Sequence, residues 1–229
     1  HGWLDGVMES RLQAVVFDMD GTLTDSEQEW DVVRRGLAEA DRLAWPEEAT
    51  KAMMGMSTPE WSAYLVETVG LFGSAEEVAR RTIDAMADAY REGRIPVLHG
   101  AVDAVNRMAE IAPLAVASSS PRVLIEAGLG LLGVRDKVAV VVSTEEVARG
   151  KPHPDGFLAA CDALRVDPAA TLAIEDSTNG LKSALAAGMR VVAVPPRFHP
   201  PAPDVLARAH AVIDDLDART VDLVQSLFT

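Results

Sequence analysis

Residues 14–17, AVVF, are four consecutive apolar residues that run straight into Asp18, Met19, Asp20 and Gly21. An unbroken apolar run of strand length, ended by a glycine, is the pattern of an interior strand in a parallel sheet covered on both faces. Such a strand demands parallel neighbours on each side and helices above and below, which narrows the fold class sharply. It also leaves two carboxylates where the sheet ends. Alternation would place Asp18 and Asp20 on one side of the strand, and Gly21 and Thr22 break the extended run so that both can converge on one pocket. Carboxylates that close repel unless something positive lies between them. A hard divalent cation such as Mg2+, which takes oxygen ligands and keeps several waters, would be satisfied by one or two of these groups together with a phosphate oxygen. The bland alternative for the stretch in isolation is an Asx-type turn after a strand.

Behind Glu27 the spacing turns helical, with Trp30, Val33, Leu37 and Ala40 on one face of a helix expected to end near Leu43. Trp45-Pro46 punctuates; a short helix over 46–53, the loop 55–59, a helix to about Val69 and a longer one over 74–91 follow. Ser74 and Glu77 have the spacing of a capping box. No strand pattern interrupts residues 26–95, so an all-helical insert is expected directly behind the acidic stretch, closing over it like a lid with hinges near 24–27 and 93–96.

From Pro96 onward strand and helix alternate, the signature of a parallel sheet with helices on both faces. Helices over 100–111, 122–132, 154–164 and 180–187 lead to strands over 114–118, 138–142, 171–176 and 190–195, and a last strand and helix lie near 211–213 and 221–228. The fold class is therefore α/β, a Rossmann-like doubly wound parallel sheet carrying a small helical insert. The expected division is a core of residues 12–25 and 96–229 and a cap of residues 26–95.

Asp and Glu number 35 against 21 Lys and Arg, a formal net charge of −14, which argues against nucleic acid or an anionic membrane as partner. Any bound phosphate must then be held by local groups. No apolar run reaches membrane-spanning length. The single cysteine, Cys161, sits in an apolar helical run without a paired histidine, so no intrachain disulfide forms and a reducing cytoplasm is the expected compartment, with the chain a monomer. Residues 1–7 have neither the basic flank nor the apolar run of a signal peptide and are set aside.

In open parallel sheets ligands bind beyond the carboxyl ends of the strands, so the residues that can meet are those following each strand. Ser118, Ser119 and Ser120 follow one strand and precede a helix, where hydroxyls and free N–H groups are good anion ligands, although SSSP also reads as a plain helix cap with Pro121 at the first helical position. Lys151, one of four lysines, lies on a loop after another strand and could be solvated or could offset paired acids. Glu175 and Asp176 close the run Leu172 to Ile174 and repeat the logic of the opening stretch, with helix capping as the bland alternative. His99 and His153 lack metal-ligand spacing with other His or Cys residues.

DMDGT at 18–22, the serine at 118, GKPHP with Lys151 and EDSTNG at 175–180 resemble, in order and each at a strand end, the four motifs of the haloacid dehalogenase superfamily of phosphohydrolases. The insert, with SSSPR at 118–122 and DSEQEW at 25–30, is similar to the β-phosphoglucomutase-like and sugar phosphatase group. The resemblance implies that Asp18 is a nucleophile forming an aspartyl phosphate and Asp20 the general acid and base. It implies a Mg2+ site made by Asp18, the main-chain carbonyl of Asp20, Glu175 and Asp176. Ser118, the N–H of Ser119 and Lys151 would hold the transferring oxygens, and Trp30, Met56, Ser57, Thr58 and Trp61 would outline the cap surface that meets a small phosphorylated metabolite.

Other members of the superfamily fit less well. A phosphoglucomutase of this kind carries a histidine where this chain has Trp30 and a cap arginine where it has Thr58. A dehalogenase would lack Asp20, and a phosphonate hydrolase needs a Schiff-base lysine for which only Lys51 is at hand. A non-catalytic sensor of phosphorylated ligands would be expected to have lost Asp18 or Asp20.

Overall fold

The computed structural model describes residues 11–217 and 220–229, so the amino-terminal stretch 1–7 set aside above lies outside them. Strand β1, Ala14–Phe17, is wholly buried as its composition requires. The insert follows with α1, Glu27–Ala40, α2, Ala49–Ala52, α3, Thr58–Tyr64, which runs into a π turn over Leu65–Val69, and α4, Ala75–Arg91. Helix α5, Ala101–Ala109, leads to β2, Leu114–Ser118; α6, Arg122–Leu132, to β3, Val138–Ser143; and α7, Asp155–Leu164, to β4, Thr171–Glu175. Then come α8, Thr178–Ala186, β5, Arg190–Ala193, α9, Pro203–Leu206, β6, Ala211–Val212, and α10, Thr220–Ser226.

The strands form one parallel sheet in the order β3-β2-β1-β4-β5-β6. The chain winds outward from β1 through β2 to β3, then returns to β4 on the other side. Between β1 and β4 lies the switch point, where the connections leave to opposite faces and open a crevice at the carboxyl ends. Alternation along each strand splits the core: Val15 and Phe17 pack with α5, α6 and α10, whereas Val16 packs with α7, α8 and α9. The expected α/β class and the doubly wound sheet are what the structure shows.

Several element boundaries differ from the sequence reading, each for a local reason. Helix α1 stops at Ala40 because Arg42 takes a left-handed conformation, φ of 60°, and the Leu43 N–H turns back to the Ala38 carbonyl. Pro121 has ψ of 147° and is the residue before α6, not its first helical position. β4 ends at Glu175 and leaves Asp176 beyond the sheet. The capping box at Ser74 forms as expected, with Ser74 Oγ accepting from the Glu77 N–H and the Glu77 carboxylate accepting from the Ser74 N–H.

No strand lies within residues 26–95, and the insert has an apolar cluster of its own around Met53, Trp61, Leu65 and Val78. A second cluster joins it to the sheet layer, where Met86 and Tyr90 of α4 meet Leu124 of α6. The two chain crossings lie side by side: the Asp25 N–H donates to the Pro96 carbonyl and the Leu98 N–H to the Leu23 carbonyl. Replacing Ser74 with Ala removes one half of the capping box and should lower stability by about 1 kcal/mol. Urea unfolding should show this as a lower midpoint at unchanged slope, and an unmoved midpoint would mean that the cap contributes nothing to α4.

Candidate active site

Asp18, first residue past β1, is held by its own N–H donating to the Ile174 carbonyl at 3.0 Å, so the sheet ladder fixes the backbone of the reactive position. The residue is buried, 7% exposed. Lys151, from the loop ahead of α7, reaches in over the ring of Phe157 and donates to three acceptors: Asp18 Oδ1 at 2.8 Å, Glu175 Oε1 at 2.6 Å and the Ala117 carbonyl at 3.0 Å. An ammonium has three donors, so Lys151 is saturated. Burial works against its charge, but Asp18 and Glu175 outweigh that and raise its pKa.

Glu175 is fully buried and held as an acceptor, with Oε2 taking the N–H of Asp176 at 3.0 Å and lying 3.4 Å from the Ser177 N–H and hydroxyl. Asp176 follows it outward, and its Oδ1 accepts from Thr22 Oγ1 at 3.0 Å. Oxygens of Asp18, Glu175 and Asp176 all lie within 4.8 Å of one another. Two glycines make room for them: a Cβ on Gly180 would fall 2.0 Å from the Glu175 carboxylate, and one on Gly21 would fall 2.2 Å from Asp176 Oδ2. Three carboxylates facing one ammonium are short of positive charge. Burial, with the charge of Asp18 added, therefore pushes Glu175 up to about 7, and burial with Asp18 and Glu175 holds Asp176 well above the usual carboxylate range. The donor set, all hard oxygens, suits a divalent cation such as Mg2+.

Asp20 does not join this cluster with its side chain. Oδ1 accepts from Ser26 at 2.6 Å and from the Tyr90 hydroxyl at 3.2 Å, and Oδ2 accepts from Ser120 at 2.6 Å, with Ser118 Oγ at 3.4 Å. Only hydroxyls surround it. Burial, then the charge of Asp20, raises the pKa of Tyr90, which stays a neutral donor. Ser26 and Tyr90 come from the two ends of the insert; Ser26 lies in the stretch 25–30 that carries the family resemblance but is assigned no role by it, and no motif marks Tyr90.

A cavity of about 1460 Å3 opens above these groups between insert and sheet. Asp20, Asp176, Ser119 and Ser120 line its floor, and Trp30, Met56 and Thr58 line its roof. Ser57 is not among the lining residues; it precedes α3 and donates its hydroxyl to Glu60 at 2.8 Å, an i to i+3 contact that turns it along the helix. Arg34 and Trp61 line the roof as well. Trp61 belongs to the expected cap surface, whereas no motif marks Arg34.

The family of haloacid dehalogenase-like hydrolases matches residues 12–188. Hexitol phosphatase B of Escherichia coli is 33% identical over 202 residues, which are 81% of this chain and 84% of that protein. Protein CbbY of Rhodobacter capsulatus is 31% identical over 229 aligned positions, covering 94% of this chain and 99% of that one. The crystal structure of CbbY from Rhodobacter sphaeroides in complex with phosphate superposes with a TM-score of 0.80 at 24% identity, over 91% of this chain and 96% of that one, and shares the fold. The chain belongs to the haloacid dehalogenase-like hydrolase family. Within it, the chain is a phosphatase of the sugar phosphatase and β-phosphoglucomutase-like group.

A carboxyl whose folded pKa lies above its unfolded value adds stability below the unfolded value and loses it as pH rises through the folded one. For Glu175 that window runs from its ordinary 4.5 to about 7, and Asp176 moves in the same direction. A bound cation offsets the same repulsion. The rise in melting temperature on replacing chelator with Mg2+ should therefore be small at about pH 5 and several degrees at about pH 7.5. An equal rise at both would mean that Mg2+ does not bind at these carboxylates.

Proposed function

We propose that this enzyme hydrolyses the phosphate ester of a small metabolite, a sugar or polyol phosphate, through an aspartyl phosphate on Asp18, with Mg2+ bound by Asp18, the main-chain carbonyl of Asp20, Glu175 and Asp176. One observation carries the reading: two carboxylates at the end of one strand have opposite environments. Asp18 is pinned by an ammonium, whereas Asp20 is ringed by hydroxyls. An ammonium can only donate, so the contact from Lys151 matches an oxygen of Asp18 that acts as an acceptor and as a nucleophile. A serine or tyrosine hydroxyl can donate or accept, so the ring around Asp20 serves the carboxylate and the carboxylic acid alike. This is the arrangement that one nucleophile and one acid–base require.

In the first step an oxygen of Asp18 attacks phosphorus, the bond to the alcohol oxygen breaks, and Asp20 gives its proton to that oxygen. In the second, Asp20 takes a proton from water, the water oxygen attacks phosphorus, and the bond to Asp18 breaks to release phosphate. Bound Mg2+ would supply charge that lets one anion approach another. Ser118, the N–H of Ser119 and Lys151 are assigned to orienting the phosphoryl oxygens. Since Lys151 has its three donors engaged, its first task is to fix Asp18, and contact with substrate requires one of these bonds to yield.

The relatives include phosphatases named for hexitols and for fructose 1-phosphate, which supports a sugar-like leaving group. The mutase reading is weaker because Trp30 and Thr58 stand where a mutase carries histidine and arginine. The division into a core of 12–25 and 96–229 and a cap of 26–95, with closure about the paired crossings, belongs to the same proposal, as does a cytoplasmic location. No helix among the described residues is long and apolar enough to cross a membrane.

Asp18→Asn keeps the shape and removes the nucleophile, so turnover should fall by at least about a thousandfold with the fold retained. Rapid quench of the unaltered enzyme followed by peptide mass spectrometry should place phosphate on the peptide containing Asp18. Phosphate found on a serine or histidine would overturn the mechanism, and so would full activity in excess chelator.

A further inference from the structure

Arg34 lies on α1, one turn past Trp30, in the roof of the cavity. Its guanidinium carbon is 4.9 Å from the ring centroid of Trp30 and 4.9 Å from that of Trp61, and the two rings are 5.7 Å apart, tilted by 59°. The three groups close a triangle. Cation–π contact at about 0.5–2 kcal/mol explains why the side chain rests there. It does not explain Nε, which is buried without a hydrogen-bond partner. A buried donor left unpaired costs about 1–3 kcal/mol, more when charged, so the guanidinium is held in the roof with its hydrogen-bonding capacity unmet.

The protein does not supply one from the adjacent acid. Asp31 Oδ2 already accepts from Arg35 Nε at 2.7 Å, and Oδ1 accepts from the Thr50 hydroxyl. Burial lowers the pKa of Arg34 to about 10, against the smaller upward pull of Asp31, so the group remains a cation at neutral pH with its charge only partly matched. Among the cavity-lining residues of the insert it is the one cation, beside the acids Glu27 and Asp31.

We infer that Arg34 binds a second anionic group, a carboxylate or a phosphate, carried by the same small molecule whose phosphate ester is cleaved at Asp18. The inference rests on the phosphatase reading above. A planar fork of N–H donors matches a carboxylate or phosphate in two parallel bonds, and charge-assisted bonds are roughly twice as strong as neutral ones. A sugar hydroxyl would meet one donor and leave the charge unmatched. Arg34 is thus a specificity-determining residue, selecting substrates charged at both ends.

The test uses three six-carbon substrates that differ only at the far end: sorbitol 6-phosphate, gluconate 6-phosphate and glucitol 1,6-bisphosphate. The expected result is a kcat/KM at least tenfold higher for one of the doubly charged compounds than for sorbitol 6-phosphate, and which of the two is preferred tells carboxylate from phosphate. In Arg34→Met, which keeps an unbranched stem against the rings, that ratio should collapse towards one through KM, with Arg34→Lys in between. A ratio near one in the unaltered enzyme, or a ratio that survives Arg34→Met, overturns the inference. Calorimetric titration of the same compounds into Asp18→Asn protein reads the preference without turnover and without altering Arg34, and equal Kd values for all three also overturn it. If a small aryl phosphate labels Asp18 while the ratio is flat, only the role of Arg34 falls; if Asp18 is never labelled, the phosphatase mechanism falls first.

Discussion

The ammonium of Lys151 is the interaction on which the rest of the site depends. It joins β1, through Asp18, to β4, through Glu175, and to β2, through the Ala117 carbonyl, so three adjacent strands are pinned at their carboxyl ends by one atom. Burying the carboxylates of Asp18 and Glu175 without it would leave two charges in a place with little solvent, and breaking a buried pair of this sort costs about 3–5 kcal/mol. The ammonium of Lys151 in turn lies 5.1 Å from the ring centroid of Phe157, the first large apolar residue of α7 and part of the apolar layer beneath the sheet. Core packing and site electrostatics are therefore one structure.

Asp20 is where insert and core meet in hydrogen bonds. Ser26 and Tyr90 reach it from the start and the end of the insert, and Ser118 and Ser120 reach it from the segment that follows β2. Tyr90 also packs against Leu124 and sits above Gly128 of α6. Any shift of the insert relative to the sheet must move two of the four hydroxyls and leave the other two in place. The orientation of Asp20 is coupled by this geometry to the position of the insert, whereas the hydrogen bonds given for Asp18 and Glu175 come from residues outside the insert.

The fold was legible in the sequence because its signals are redundant: buried parallel strands are continuous apolar runs, and each is followed by a helical period and a break. Asp18, Lys151, Glu175 and Asp176 were legible because strand ends are the one place where topology brings distant residues together. Asp20 was legible as a position but not as an environment, since Tyr90 lies seventy residues away and carries no mark in the apolar face of α4. Ser57 looked like a cavity residue by proximity to Thr58, but a three-residue contact with Glu60 turns it aside. The cation in the roof was illegible for a related reason, because Arg34 is defined by Trp61, a neighbour only in space.

A net charge of −14 and an anionic substrate are reconciled by the order in which charges are matched. Lys151 is already committed to Asp18, Glu175 and the Ala117 carbonyl, so it offers an incoming phosphate no spare donor. The remaining cluster carries three carboxylates against that one ammonium, and burial resists the negative surplus, as the raised pKa values of Glu175 and Asp176 record. The general acidity of the protein favours a divalent cation over an anion at this point. On the proposed reading the cation must therefore occupy the site before the phosphate does, and only then is the field at Asp18 positive enough for a second anion to approach within bonding distance.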